Sequence, residues 1–132
     1  MTAPAAANLA DLVRAAAQRS PEKAAFLFRD RVLTWAEVDR HVDEVAAGLL
    51  GLGLAAGDRV GVQLGNTPDF PIVYFGALRA GLVAVPLNTG YTSGELSFCL
   101  SDSGAAALVT SRSGAAAALA LTEQLEALQH VV

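Results

Sequence analysis

Apolar positions along the chain switch between helical spacing and strand spacing, which predicts α-helices and short β-strands in turn. The best-marked helix begins at Thr34, because Thr34 and Glu37 have the Thr-x-x-Glu spacing of a capping box. After it, apolar residues recur at intervals of four and three, with charged residues on the other faces: Val38, Val42, Val45, Leu49 and Leu52. This pattern predicts an amphipathic helix that ends near Gly53.

Four further helices are predicted from caps, glycine stops and apolar spacing. The first is expected over 8–19, with Asn8 as its cap and one apolar face: Leu9, Leu12, Val13 and Ala16. The second is expected over 69–80, with Thr67 or Asp69 as its cap and Gly81 at its end. The third is expected over 92–104, with a second capping box from Thr92 to Glu95, and the fourth over 115–128.

Short runs rich in β-branched and aromatic residues lie between these helices. Runs 24–28 and 31–33 flank a turn and predict a β-hairpin, and runs 59–64, 82–87, 105–109 and 130–132 predict single strands. Single strands that alternate with helices favour a parallel sheet, because parallel neighbours need crossover connections. The fold class is therefore α/β: a mostly parallel sheet with flanking helices and an amino-terminal hairpin. Since the pattern stops at the opening residues of a strand, we expect the sheet to be incomplete.

Composition narrows the possible partners. The 132 residues include 13 acidic and 9 basic side chains, a formal charge of −4, with no run of Lys and Arg that would follow a phosphate backbone. We therefore expect no nucleic acid partner. One cysteine forms no internal disulfide, no His or Cys cluster has metal-ligand spacing, and no secretory signal is recognised, so a cytoplasmic location is expected.

The apolar content bears on membranes and on association. The uncharged stretch Val45–Gly57 is too short for a transmembrane helix, so no transmembrane segment is predicted. Hydrophobic residues nevertheless make up 53% of the chain and charged residues 17%, a low charged fraction for a small free-standing domain. We expect part of the surface to have a partner, and an unpaired edge of the sheet is expected to allow self-association.

Three segments resemble phosphate-binding motifs, but each also fits an ordinary helix end or cap. The glycines of segment 51–57 follow a helix with G-x-G-x-x-x-G spacing, so they fit a helix end better than a dinucleotide fingerprint. The sole lysine, Lys23, has no glycine loop around it, which excludes a P-loop. Clusters 92–94 and 110–114 each precede a helix, where capping is the simpler interpretation than phosphate binding. Arg112 is interpreted as a solvated loop residue.

The remaining reactive side chains have ordinary explanations. His41 lies one turn beyond Glu37, as in a surface ion pair, and Cys99 shares an apolar face with two leucines. Asp39 and Asp43 are interpreted as solvated residues on a charged outer face. We therefore assign no catalytic, cofactor-binding or metal-binding residue.

The order of short motifs along the chain resembles the amino-terminal part of the adenylate-forming superfamily, which includes acyl-CoA synthetases. The resemblance runs from about residue 8 to residue 110 and rests on these segments: Leu33-Thr34-Trp35-Ala36-Glu37-Val38, Gly57-Asp58-Arg59-Val60, Asn66-Thr67-Pro68-Asp69-Phe70, Ala77-Leu78-Arg79-Ala80-Gly81, Val85-Pro86-Leu87-Asn88 and Asp102-Ser103-Gly104-Ala105.

The resemblance implies an acid–thiol ligase that activates a carboxylic acid, expected to be a fatty acid, with MgATP, releases pyrophosphate, and passes the acyl group to coenzyme A. Residues 1–132 would be the amino-terminal part of its large domain, truncated before the phosphate-binding loop. ATP, Mg and CoA are then expected for the full-length parent, none of them bound by this fragment, which is expected to be inactive. Its partner would be the remainder of the parent chain. The alternative is a free-standing, noncatalytic α/β association module.

Overall fold

A four-stranded parallel sheet forms the centre of the fold in the computed structural model, which describes residues 7–132. The elements in chain order are α1 Asp11–Arg19, β1 Ala24–Phe28, β2 Arg31–Thr34, α2 Trp35–Gly51, β3 Arg59–Gln63, α3 Asp69–Arg79, β4 Val83–Pro86, α4 Ser93–Ser103, β5 Ala107–Thr110, a 3₁₀ turn Arg112–Gly114, α5 Ala115–Thr122 and β6 His130–Val131.

The strand order is β4-β3-β5-β6, and every neighbouring pair is parallel. In the centre, Val60 of β3 lies beside Ala84 of β4 on one side and Ala107 of β5 on the other. Strands β1 and β2 form a separate antiparallel hairpin in which Leu27 is opposite Val32. The predicted fold class, a parallel sheet with flanking helices and an amino-terminal hairpin, is confirmed.

Helices cover both faces of the sheet. Successive residues of a strand point to opposite faces, so each face has its own apolar side chains for helices to pack on. On one face Val60 and Ala107 pack with α2 and α3 through Leu49 and Ala77. On the other face Leu108 packs with α4 and α5. A third cluster joins α1, the hairpin, α2 and α3: Val13, Leu33, Val38, Val42 and Ile72. These clusters fix the strand ends, on which the candidate site depends.

Both predicted capping boxes are present. Thr34 accepts a hydrogen bond from the Glu37 backbone N–H while the Glu37 carboxylate accepts from the Thr34 backbone N–H, and Thr92 and Glu95 repeat the arrangement. The hydrogen bond from the Thr34 backbone N–H lowers the pKa of Glu37, because it stabilises the ionised carboxylate. The predicted glycine stop at Gly104 is also confirmed, with a left-handed φ of 64°.

Three local predictions are wrong in detail. Helix α1 begins at Asp11 and buries Ala10, Val13 and Ala16, whereas Leu9 and Leu12 are exposed, because the packing partners lie on the alanine side. Neither Thr67 nor Asp69 caps α3, whose first turn begins after Pro68 without a side-chain cap.

Helix α5 stops at Thr122 instead of residue 128. There the Leu121 carbonyl accepts hydrogen bonds from both the Gln124 and the Leu125 backbone N–H. The chain then turns, so that buried Leu128 packs against the α4/α5 side of the sheet just before β6. Among residues 7–132, no helix combines the length and apolar character needed to cross a membrane.

Candidate functional site

A crevice lies at the carboxyl edge of the sheet, where β3 and β5 end side by side. From β3 the chain proceeds to α3 on one face, and from β5 it proceeds to α5 on the other face. Such a topological switch point is where open α/β sheets hold their ligands. The crevice has a volume of about 180 Å³, and its polar lining consists of Gln63, Thr89, Tyr91, Ser93, Thr110, Ser111 and Ser113.

Gln63, at the end of β3, connects the carboxyl ends of three neighbouring strands. Its Nε2 donates to the carbonyl of Asn88 just beyond β4 at 3.2 Å, and its Oε1 accepts from the Oγ1 of Thr110 on β5 at 3.4 Å. Its side chain is buried, 8% exposed. A buried amide needs partners for its donors and acceptors. Gln63 therefore holds the two loops that line the crevice in a fixed relation.

The loop after β5 approaches the strand closely. A Cβ atom on Gly114 would overlap the Thr110 Oγ1, so a side chain here would displace the hydroxyl that donates to Gln63. The Oγ atoms of Ser111 and Ser113 are 2.8 Å apart and both side chains are exposed. Ser111 occupies the position before the 3₁₀ turn, but its side chain makes no capping hydrogen bond. The capping interpretation is right for Thr92 and wrong for Ser111.

A second crevice of about 430 Å³ adjoins the first, since Thr89 lines both. It lies between the end of β4 and the start of α3, and Asn66, Phe70 and Asn88 contribute to its wall. Asn88 Oδ1 accepts a hydrogen bond from the Gly90 backbone N–H at 2.7 Å, which holds this turn. Both crevices lie along the carboxyl edge of the sheet, and the pair is called the carboxyl-edge channel below.

The channel is suited to hydrogen bonding. Its described lining has hydroxyl, amide and apolar groups and neither carboxylate, lysine nor arginine. Tyr91 is the titratable side chain of this described lining, whereas phosphoryl charge or Mg²⁺ needs cations or carboxylates. In residues 7–132 no group of three His, Cys, Asp or Glu side chains is placed to hold a metal. The described lining therefore offers a polar ligand hydrogen bonds.

The structure does not bring together the side chains that the sequence analysis examined as possible site residues. Arg112 is exposed and lies outside the described lining of the channel. Cys99 packs at the margin of the α4/α5 core, as expected. His41 is paired with Glu44, Nδ1 to Oε2 at 3.1 Å, and not with Glu37, whose carboxylate is engaged at the cap of α2.

The interpretation of Asp39 as a solvated residue is wrong. Its side chain is 16% exposed and forms ion pairs with Arg14 of α1 at 2.9 Å and with Arg79 of α3 at 2.8 Å. Asp43, half exposed, pairs with the same two arginines. The hydrogen bond that Arg14 donates to Asp39 and the charges of both carboxylates raise the pKa of Arg14, because they stabilise its charged form. These charges join three helices and lie away from the channel.

The sequence analysis does not predict the role of Gln63. The only local sign of it is that a polar residue follows the apolar run 60–62 near the carboxyl end of a predicted strand. Its partners Asn88 and Thr110 are 25 and 47 residues away. A contact over that separation cannot be read from local spacing.

Comparison with known proteins identifies the relatives of this chain. The family described as AMP-binding enzyme matches residues 13–132. A long-chain-fatty-acid–CoA ligase of Salmonella typhimurium is 37% identical over 126 residues, which are 95% of this chain and 22% of that protein. A solved Mycobacterium tuberculosis fatty acyl CoA synthetase is 31% identical over 95% of this chain and 26% of its own, with a TM-score of 0.87.

An anthranilate CoA ligase solved in complex with anthranoyl-AMP superposes with a TM-score of 0.91 at 25% identity, over 98% of this chain and 25% of its own. This chain therefore spans about a quarter or less of the length of these relatives. The family match to residues 13–132 includes the whole sheet. The chain belongs to the family of AMP-binding enzymes.

Proposed function

We propose that the chain is the amino-terminal part of an ATP-dependent acyl-CoA synthetase, which converts a fatty acid, ATP and CoA into acyl-CoA, AMP and pyrophosphate. The observation that carries the proposal is the 37% identity with a long-chain-fatty-acid–CoA ligase over 95% of the chain. The match to a fatty acyl CoA synthetase structure supports the same substrate class.

In this proposal the chain supplies a scaffold and one wall of the active site. The carboxyl-edge channel would face the reaction centre, with Gln63 holding the loops after β4 and β5 in place. ATP, Mg²⁺ and CoA would be gripped mainly by groups outside these 132 residues, because the channel lining offers hydrogen-bond donors and acceptors without charge. The 132-residue chain alone would then be inactive.

A chimera tests the proposal. This chain replaces the matched 126-residue segment of the Salmonella typhimurium ligase, and acyl-CoA formation from palmitate, ATP and CoA is measured. We expect synthesis that requires all three substrates, none from the ligase lacking the segment, and none from the chain alone. A chimera that is folded by circular dichroism and sediments as the parent ligase does, but makes no acyl-CoA, would overturn the proposal.

The free-standing association module is the competing function, and the exposed apolar side chains Leu12, Leu27 and Phe98 are the observation that favours it. That module would bind a partner protein and leave the chimera inactive. Self-association through the free edge of β6 stays a prediction, which sedimentation of the chain over a range of concentrations would test.

A further inference from the structure

Helix α1 buries little apolar surface. Ala10, which precedes the helix, and Val13 and Ala16 within it are buried, whereas Leu12 is exposed. Among the described residues, Val13 is the only member of α1 in a core cluster. Burying an apolar side chain stabilises a fold roughly in proportion to the area removed from water. Two alanines and one valine therefore attach α1 only weakly.

Two arginines and two aspartates supply the stronger attachment. Arg14 of α1 forms ion pairs with Asp39 at 2.9 Å and with Asp43 at 2.8 Å, both on α2. Arg79 of α3 pairs with the same two carboxylates and also donates to the carbonyl of Ala10 at 3.2 Å. Arg14 thus ties α1 to α2 by charge.

The two arginines differ in how strongly salt screens them. The side chain of Arg14 is 45% exposed and that of its partner Asp43 is 52% exposed. Arg79 and Asp39 form the sheltered pair, at 15% and 16% exposed. The Debye length falls from about 10 Å at 0.1 M salt to about 3 Å at 1 M, and buried pairs are screened much less than exposed ones. High salt should therefore weaken the attachment of α1 more than the contact between α2 and α3.

Release of α1 can remain local. An isolated helix of nine residues is marginal in water, because its nucleation is costly, so α1 would unfold once it is released. Asn8 donates from Nδ2 to the Leu78 carbonyl at 2.6 Å, a neutral hydrogen bond that keeps the segment tethered. Helices α2 and α3 pack on the sheet through Leu49 and Ala77, so their position does not depend on α1.

We propose that α1 is a strap controlled by ionic strength: high salt releases it from α2 and α3 while the sheet and the other helices stay folded. Release removes Val13 from its core cluster and uncovers the side of α2 that carries Val38 and Val42. The strap would operate whether or not the chain is part of an acyl-CoA synthetase, because all of its contacts lie within this chain.

Amide hydrogen exchange of the chain, measured by NMR at low and at high NaCl concentration, tests the proposal. Each rate is divided by the rate of the unfolded chain in the same buffer. Between about 0.05 M and about 1 M NaCl, we expect exchange to become about fivefold faster or more in α1 and to change less than about twofold in α2 and α3.

Two arginine substitutions in α1 supply the matched comparison. Arg14→Met keeps an apolar stem and removes the charge, so α1 should exchange rapidly at both salt concentrations. Arg19→Met is the control, because Arg19 is an exposed arginine of the same helix for which the described residues provide no ion pair. It should respond to salt as the wild-type chain does.

An α1 that stays protected at high salt, or that loses protection only together with α2 and α3, would overturn the proposal. Equal exchange by Arg14→Met and Arg19→Met would overturn it as well. If Arg14→Met does not fold, the salt series on the wild-type chain and on Arg19→Met decides between the two results.

Discussion

The contact between α2 and α3 makes Gly76→Ala the most informative single substitution. A Cβ atom on Gly76 would overlap Val45 Cγ1, lie 2.6 Å from Val45 Cβ and lie 3.4 Å from the Val42 carbonyl oxygen. The Val45 Cβ is fixed to the backbone of α2, so a rotamer change does not relieve the overlap. The two helices must move apart.

The magnitude follows from two opposing effects. Replacing glycine by alanine inside a helix favours folding by about 1 kcal/mol. Overpacking an interior contact costs about 1–3 kcal/mol, and the rigid Val45 Cβ places this site toward the upper end. We therefore expect Gly76→Ala to lower the free energy of unfolding by about 1–2 kcal/mol, against the direction of helix propensity.

Urea unfolding monitored by circular dichroism measures this difference. The matched control is Gly48→Ala, since its added Cβ meets nothing within 4 Å, and it should raise the free energy of unfolding by about 0.5–1 kcal/mol. The two variants should therefore differ by about 1.5–3 kcal/mol. A Gly76→Ala variant as stable as Gly48→Ala would refute the packing of α2 on α3 described above.

Three further substitutions and a titration follow. Thr34→Ala should cost about 1 kcal/mol of stability through loss of the cap, and an unchanged urea midpoint would contradict it. Because folding lowers the pKa of Glu37, its ionised carboxylate stabilises the fold above its unfolded pKa, and this stabilisation is lost as the pH falls through its folded pKa. Glu37→Gln should therefore make the free energy of unfolding, measured by urea titration at each pH, fall less steeply in acid. Arg79→Met should cost about 1–3 kcal/mol by removing hydrogen bonds to α1 and α2, and thermal unfolding measures it. Calorimetric titration of the chain with MgATP should give no saturable heat. Micromolar binding would contradict the expectation that ATP is bound by the rest of the enzyme.

Elements governed by local interactions could be predicted from the sequence. The capping boxes depend on residues three positions apart, and the glycine stop depends on a single left-handed position, so the starts of α2 and α4 and the end of α4 were predicted correctly. The order of strands and helices likewise sufficed for the α/β class, because crossover connections impose it.

Features that depend on distant contacts could not be predicted in this way. Asp39 is interpreted as solvated from helix spacing alone, but it is covered by arginines 25 residues before it and 40 residues after it. The buried face of α1 is set by its contacts with α2 and α3. The positions of Leu9 and Leu12 therefore predicted the wrong buried face. The candidate site depends on Gln63, whose two partners come from separate loops.

We propose that this chain supplies the scaffold of an acyl-adenylating enzyme and that the charged groups which bind ATP belong to the rest of that enzyme. Fatty-acid-dependent exchange of pyrophosphate into ATP tests this when it is measured on the Salmonella typhimurium ligase chimera beside the isolated chain. We expect exchange by the chimera and none by the isolated chain. Exchange by the isolated chain, or no exchange by a folded chimera, would contradict the proposal.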